Sequence, residues 1–143
     1  MARFNFLAAA GAATCFAMFC TTALTAEGPV QSKPARVEAT ADATIKKVTL
    51  APKAAQRLGV EIDEVREDQS GRRIVPYASV LYDLKGGTWV YVYTDPMTFV
   101  REAVGIDIIQ GENVYLKNGP HPGTKVLATG VAQVFGTEVG VGH

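Results

Sequence analysis

The sequence predicts a mostly β fold, a small antiparallel barrel or rolled sheet with one short helix, preceded by an N-terminal signal helix. From Arg73 onward, short apolar segments follow one another and turn residues separate them. Strands of about five residues spaced by turns are typical of small barrels and rolled sheets. One segment, Thr88–Thr94, alternates aromatic residues with valines. The length of 143 residues fits one such domain with appendages.

The N-terminus has the composition of an export signal. Arg3 is the only charged residue before Glu27, and most residues between them are apolar or small. This layout predicts a secretory signal peptide over residues 1–26. An uncleaved inner-membrane anchor is the alternative, because the apolar run approaches the roughly 20 residues that span a bilayer. In both cases we expect the rest of the chain to lie in the periplasm.

Composition argues against two classes of function. Cys15 and Cys20 both lie in the signal segment, so the exported part has no cysteine for a disulfide or a thiolate site. The chain has 14 basic and 14 acidic residues, whereas nucleic-acid-binding domains usually carry a basic surface. We therefore expect no nucleic-acid partner.

The first half of the exported part predicts few elements. Residues 27–44 are rich in Ala, Thr, Pro and charge, without an apolar period, which is typical of a flexible tether. Ile45–Leu50 predicts a strand, and Pro52 begins a short helix. Gly59 is expected in the left-handed conformation that ends this helix. Val60–Val65 predicts a second strand, polar on one face.

The second half predicts a succession of strands. Pro76 lacks a backbone N–H, so it marks a strand edge, a bulge or a break. Asp83–Gly87 predicts a hairpin loop, because its glycines allow positive φ. The remaining predicted strands are Thr88–Thr94 paired with Phe99–Val104, then Val114–Leu116, Lys125–Ala128 and Val131–Phe135.

The aromatic hairpin presents two faces with different compositions. One face carries valines at positions 90, 92, 100 and 104, and the other carries large aromatic and charged side chains. Because the valine face is the more uniformly apolar, we expect it to pack in the core. The other face would then be at least partly available to a partner, since Trp and Tyr are enriched in binding hot spots. The candidate partner-binding residues are Trp89, Tyr91, Phe99 and Arg101; packing of this aromatic face beneath the sheet is the alternative.

The order of the motifs resembles the periplasmic adaptor subunits, or membrane fusion proteins, of RND-type efflux pumps. The likeness is greatest to the branch that exports heavy metals and other cations. The segments that carry it are Val48–Val60, Val75–Asp83, Gly87–Val92, Phe99–Val104 and Val131–Gly140. The resemblance implies that residues 45–143 are the membrane-proximal β domain of such an adaptor. In the family this domain contacts the periplasmic part of the inner-membrane transporter.

The connection Glu64–Arg73 departs from the family pattern. In a full adaptor, a lipoyl-like domain, a helical hairpin and a β-barrel lie at this position. The connection is too short for even one arm of that hairpin, since a helix of about ten residues spans only about 15 Å. The resemblance therefore extends to an isolated membrane-proximal domain, and bridging of two membranes is not implied.

The resemblance implies a non-enzymatic module that acts by protein contact. Its expected partners are the RND-type inner-membrane transporter, a full-length adaptor, or both, and it would modulate export of metal cations or drugs. Contact with the membrane is expected only through the partner or an uncleaved signal. A periplasmic metal-binding chaperone that delivers cations to the pump and a degenerate adaptor remnant are the alternatives.

No residue pattern predicts a catalytic, cofactor or metal site. His121, His143 and Met97 are the metal-ligand types outside the carboxylates, and they have no paired spacing. Ser79 lacks the flanking glycines of a nucleophile elbow. We expect these residues to be ordinary loop and strand positions.

Overall fold

A seven-stranded antiparallel sheet forms the larger part of the fold, in a computed structural model that describes residues 33–141. Its strand order is β1-β2-β8-β7-β11-β3, and β6 pairs with β7 beside this path. The strands are β1 Ala35–Ala39, β2 Lys46–Leu50, β3 Glu61–Glu64, β6 Leu81–Tyr82, β7 Thr88–Asp95, β8 Thr98–Ala103 and β11 Lys125–Thr129. The expected signal peptide over residues 1–26, the start of the tether and His143 lie outside the described residues.

A four-stranded antiparallel sheet packs beside the larger one, in the order β4-β5-β10-β9. Its strands are β4 Arg66–Glu67, β5 Arg73–Pro76, β9 Gly105–Gln110 and β10 Asn113–Asn118. Strand β5 ends at Pro76, as expected, and a 3₁₀ turn follows over Tyr77–Ser79. The mostly β prediction with antiparallel sheets is confirmed, and neither sheet closes on itself within residues 33–141.

Two α-helices complete the described part of the chain. Helix α1, Pro52–Arg57, begins at the proline and ends before Gly59, whose φ of 60° is the expected left-handed conformation. Helix α2, Val131–Val139, lies where we expected the last strand, so that prediction is wrong. Its apolar residues Val131, Val134 and Phe135 recur at helical spacing and pack on the sheet. No helix within residues 33–141 has the length and apolar character needed to cross a bilayer.

Strand β1 lies inside the segment that we expected to be a flexible tether. Ala35–Ala39 pairs antiparallel with Lys46–Leu50, and Glu38 forms a 2.9 Å ion pair with Lys47 on the neighbouring strand. The composition of this segment concealed the strand, because only Ala35 and Glu38 are half-buried in it. The ordered part therefore begins before Ile45.

Both faces of the β7–β8 hairpin are buried, each in a separate hydrophobic cluster. The aromatic face contributes Tyr91 and Phe99 to a cluster that also contains residues of β2, β11 and α2. The valine face contributes Val90 to a second cluster with Val75, Val114 and Leu116 of the smaller sheet. Because each face contributes side chains to a core cluster, the expectation that only one face packs in the core is wrong.

Burial overturns the expected exposure of the aromatic face. Tyr91 and Phe99 are 0% exposed and Arg101 is 9% exposed. The expectation that Tyr91 and Phe99 are available to a partner is wrong, because both side chains lie in the first core cluster. Arg101 is largely buried and keeps only a small exposed part. Trp89, at the end of the face nearest β6, is half-buried and keeps a solvent-facing part.

Candidate functional site

The four predicted partner-binding residues share one face of the hairpin, as expected from their alternation. In the register, Tyr91 is opposite Arg101 and Tyr93 is opposite Phe99, and Trp89 lies two residues before Tyr91. The rings of Tyr93 and Phe99 meet edge to face, with centroids 5.8 Å apart. The structure thus brings the predicted residues together, but most of them support helix α2.

Arg101 and Glu138 form a buried ion pair between strand β8 and helix α2. Nε of Arg101 lies 2.9 Å from each carboxylate oxygen of Glu138. The two side chains are 8% and 1% exposed. The backbone N–H of Lys46 donates a further hydrogen bond, 3.1 Å long, to the same carboxylate. Because an unpaired buried charge is costly, these contacts fix the position of α2 on the sheet.

Tyr91 donates a hydrogen bond from its hydroxyl to Oε2 of Glu138, at 2.5 Å. Burial, and then this hydrogen bond to a carboxylate, raise the pKa of Tyr91 above its ordinary value. The hydroxyl is therefore a stable donor over the physiological range. Tyr91, Arg101 and Glu138 make a connected polar network in an otherwise apolar core.

The guanidinium of Arg101 lies between two aromatic rings. Its Cζ is 4.8 Å from the ring centre of Trp89 and 5.5 Å from that of Phe135. Both distances are in the range of cation–π contacts. Its Nη2 donates a 2.8 Å hydrogen bond to the carbonyl of Thr44. Arg101 is thereby held at the base of the surface formed by the two rings.

Asp83 organises the loop between β6 and β7 that supports Trp89. Its Oδ1 accepts 2.8 Å hydrogen bonds from the backbone N–H groups of Lys85 and Gly87. Its Oδ2 accepts a 2.9 Å hydrogen bond from Nε1 of Trp89. The indole N–H, followed by the Gly87 N–H, lowers the pKa of the Asp83 carboxyl. The loop is thus tied to the indole ring by its first residue.

A groove of about 300 Å³ lies where this loop, strands β7 and β8 and helix α2 meet. We call it the Trp89 groove. Two of its apolar side chains are well exposed: Leu84 at 105% and Val139 at 47%. Its lining consists of Thr44, Asp83, Leu84, Lys85, Trp89, Arg101, Phe135 and Val139. Of the predicted site residues, Trp89 and Arg101 line this groove, and Tyr91 and Phe99 lie in the core.

The other residues considered for chemistry are dispersed. His121 is exposed in the loop between β10 and β11, and Met97 packs against the first core cluster in the β7–β8 turn. No three His, Cys, Asp or Glu side chains cluster as a metal site within residues 33–141. Ser79 is fully buried, and its Oγ has no hydrogen-bond partner in this part of the chain. His143 lies outside the described residues.

Six groove residues were not predicted as site residues from the sequence: Thr44, Asp83, Leu84, Lys85, Phe135 and Val139. The last two share helix α2 with Glu138, and a helical period over Val131–Val139 would have placed them on related faces. Leu84 carried a weaker signal, as a large apolar residue in a turn that otherwise holds Asp, Lys and Gly. Exposed apolar residues at a loop tip are candidates for binding.

The Trp89 groove has the character of a contact surface. It combines aromatic and aliphatic walls with two cations, Arg101 and Lys85. Aromatic residues and arginine are the side chains that dominate binding energy at protein interfaces. Comparison of the chain with protein-family models, curated proteins and solved structures gives no match.

Proposed function

We propose that this chain is an exported, adaptor-like module that binds an RND-type inner-membrane transporter, or a full-length adaptor of such a pump. It acts by protein contact, without catalysis, and modulates export of metal cations or drugs. The Trp89 groove is the surface that makes the contact. The chain therefore works in the periplasm beside the transporter.

The observation that carries this proposal is the pairing between the two halves of the chain. Strand β2, before the short connection Glu64–Arg73, pairs with β8 after it, and β3 pairs with β11. A split domain whose ends are joined directly needs such pairing, because its first segment is too short to form a core alone. This supports the likeness to a membrane-proximal adaptor domain that lacks the intervening domains.

Exposed apolar area supports contact as the mode of action. Leu84 is wholly exposed beside the half-buried Trp89 and Phe135, and Val139 adds a second exposed aliphatic side chain. Exposed apolar patches next to polar residues mark interaction surfaces. The cations of the groove would add orientation and specificity to such a contact.

Co-purification from the producing cells tests the proposal. A tagged chain, extracted in mild detergent, should retain an RND-type transporter or a full-length adaptor, identified by mass spectrometry. Leu84→Ser should reduce recovery several-fold without affecting folding, because this side chain makes little contact with the fold. Ile109→Ser is the matched control, since Ile109 is 44% exposed on β9 of the other sheet. Absence of both partner classes from the wild-type eluate contradicts the proposal.

A further inference from the structure

The open hydrogen-bonding capacity at the Trp89 groove consists of donors. The guanidinium of Arg101 offers donors on three nitrogens. Nε is occupied by Glu138 and Nη2 by the carbonyl of Thr44. Within residues 33–141, no group accepts a hydrogen bond from Nη1. Nη1 is also not one of the fully buried polar atoms that lack a hydrogen-bond partner. Arg101 lines the groove and is 9% exposed, so its remaining accessible surface faces the groove.

Lys85 adds a second donor on the loop side of the groove. Within the described residues its Nζ has no hydrogen bond or ion pair, and the side chain is exposed. It lies next to Leu84, so a cation and an aliphatic side chain stand together at the loop tip. The two cations thus come from different elements, β8 and the β6–β7 loop.

Three carboxylates near the groove are already engaged by the protein. Asp42 accepts from the backbone N–H and the hydroxyl of Thr44. Asp83 accepts from the N–H groups of Lys85, Gly87 and Trp89. Glu138 accepts from Tyr91, Arg101 and the backbone of Lys46. A bound group would therefore meet unused donors but few unused acceptors. This asymmetry favours a ligand with a carboxylate over one with an amine.

The apolar walls set the second requirement. Trp89, Phe135, Leu84 and Val139 surround the space beside Arg101. The volume of about 300 Å³ is at the low end for ligand pockets and suits one or two side chains. A purely ionic ligand would leave these walls in water.

We propose that the Trp89 groove binds a segment of the partner protein in which a carboxylate side chain adjoins a large apolar side chain. The carboxylate bonds to Nη1 of Arg101 and to Lys85, and the apolar side chain packs between Leu84, Val139 and the two rings. Charge-assisted hydrogen bonds of this kind are shorter and stronger than neutral ones. The proposal deepens the proposed function, on which it rests, by naming what the groove recognises.

Trp89 is the only tryptophan in the chain, so it reports on the groove directly. The probes are two synthetic peptides with blocked ends, Gly-Ser-Glu-Leu-Phe-Gly and the same peptide with Gln in place of Glu. Titration into the exported chain, followed by Trp fluorescence and the indole N–H resonance, should give saturable binding of the Glu peptide. We expect the Gln peptide to bind about tenfold more weakly.

Two pairs of variants locate the contact. Lys85→Glu should lower the affinity for the Glu peptide about tenfold, close to the affinity for the Gln peptide. Lys53→Glu, at an exposed position of α1, should leave the affinity for the Glu peptide unchanged. Leu84→Ser should weaken both peptides, and Ile109→Ser should weaken neither. Arg101→Lys should reduce the preference for Glu over Gln, provided that its thermal melt remains cooperative. Should this variant fail to fold, the comparison of the two peptides on the wild type still decides.

Equal affinity for the two peptides, or no saturable response of Trp89 to either, overturns the proposal. The outcome is independent of co-purification. Peptide binding without a retained transporter or adaptor would leave this recognition intact and contradict the proposed function. A retained transporter or adaptor, together with equal binding of the two peptides, would support the proposed function and contradict this recognition.

Discussion

The hydroxyl of Tyr91 and the Oε2 of Glu138, 47 residues apart in the chain, lie 2.5 Å from one another. This hydrogen bond joins the central strand β7 to the C-terminal helix α2. Because Arg101 contacts the same carboxylate from the neighbouring strand, the helix is attached by a polar network rather than by apolar packing alone. The same network holds the base of the Trp89 groove, so stability and the groove's shape depend on the same side chains.

Tyr91→Phe removes the hydroxyl and keeps the ring in the core. We expect the free energy of unfolding to fall by about 1.5–3 kcal/mol, the range for a hydrogen bond to a charged group. Urea denaturation, followed by circular dichroism, measures this loss. Tyr93→Phe is the control, because the Tyr93 hydroxyl makes no hydrogen bond within the described residues and the side chain is half-buried. Equal losses in the two variants would contradict a specific role for the hydroxyl of Tyr91.

Glu138→Ala leaves the guanidinium of Arg101 buried without its carboxylate. We expect a loss of about 3–5 kcal/mol in the free energy of unfolding, as for a buried ion pair broken on one side. Glu102→Ala on the same strand as Arg101 is the control, because Glu102 is exposed and a surface change should cost less than about 0.5 kcal/mol. Chemical denaturation of both variants measures the difference. A loss below about 1 kcal/mol in Glu138→Ala would contradict the attachment of α2 through this pair.

Alkaline pH should weaken the fold through Tyr91. Burial and the bond to Glu138 raise its pKa above the ordinary value of 10.0, so below that pH both the native and unfolded states hold the proton. Above it the unfolded state loses the proton first and the native state binds more protons, so the free energy of unfolding falls as pH rises. The difference between wild type and Tyr91→Phe should decline by up to about 1.4 kcal/mol per pH unit above pH 10.

Urea denaturation between pH 9 and about 11.5 measures this difference, and the subtraction removes the contributions of lysines and of the other tyrosines. Tyr93→Phe again serves as the control and should show no such decline relative to wild type. If the difference in the free energy of unfolding between wild type and Tyr91→Phe is constant over this pH range, the pKa of Tyr91 is the same in the native and unfolded states.

Two glycines of helix α2 should respond to alanine in opposite directions. Gly130 precedes the helix with φ of 91°, where a Cβ is strained, so Gly130→Ala should destabilise by about 1–2 kcal/mol. Gly136 lies inside the helix, and an added Cβ would meet Val141 at an ordinary 3.5 Å. Gly136→Ala should therefore stabilise by about 0.5–1 kcal/mol. The melting temperatures of the two variants should shift in opposite directions. Shifts of the same sign would contradict the helical conformation of α2 and the left-handed conformation of Gly130.

The positions of β7 and β8 and the faces of their side chains could be predicted from the sequence because they depend on local alternation. The pairing of β7 with β8 and the shared face of Trp89, Tyr91, Phe99 and Arg101 follow from a period of two. The helical end at Gly59 likewise follows from the residue itself. These features need no knowledge of what lies above or below the sheet.

Helix α2 was missed for an energetic reason. Val131–Val139 contains valines, a phenylalanine and a glycine, which favour a strand or lower helix propensity. Its helical form depends on packing of Val131 and Val134 against the sheet and on the ion pair of Glu138. Tertiary contacts therefore override local propensity here.

By itself the sequence determined where the strands of the β7–β8 hairpin lie and which side chains share a face. Only the tertiary structure decided that both faces are core, since burial depends on which distant elements cover them. Helix α2 and the smaller sheet come from elsewhere in the chain, and alternation within one hairpin carries no information about either. The same contacts placed Tyr91 and Phe99 inside, and left Trp89 and Arg101 to line the groove.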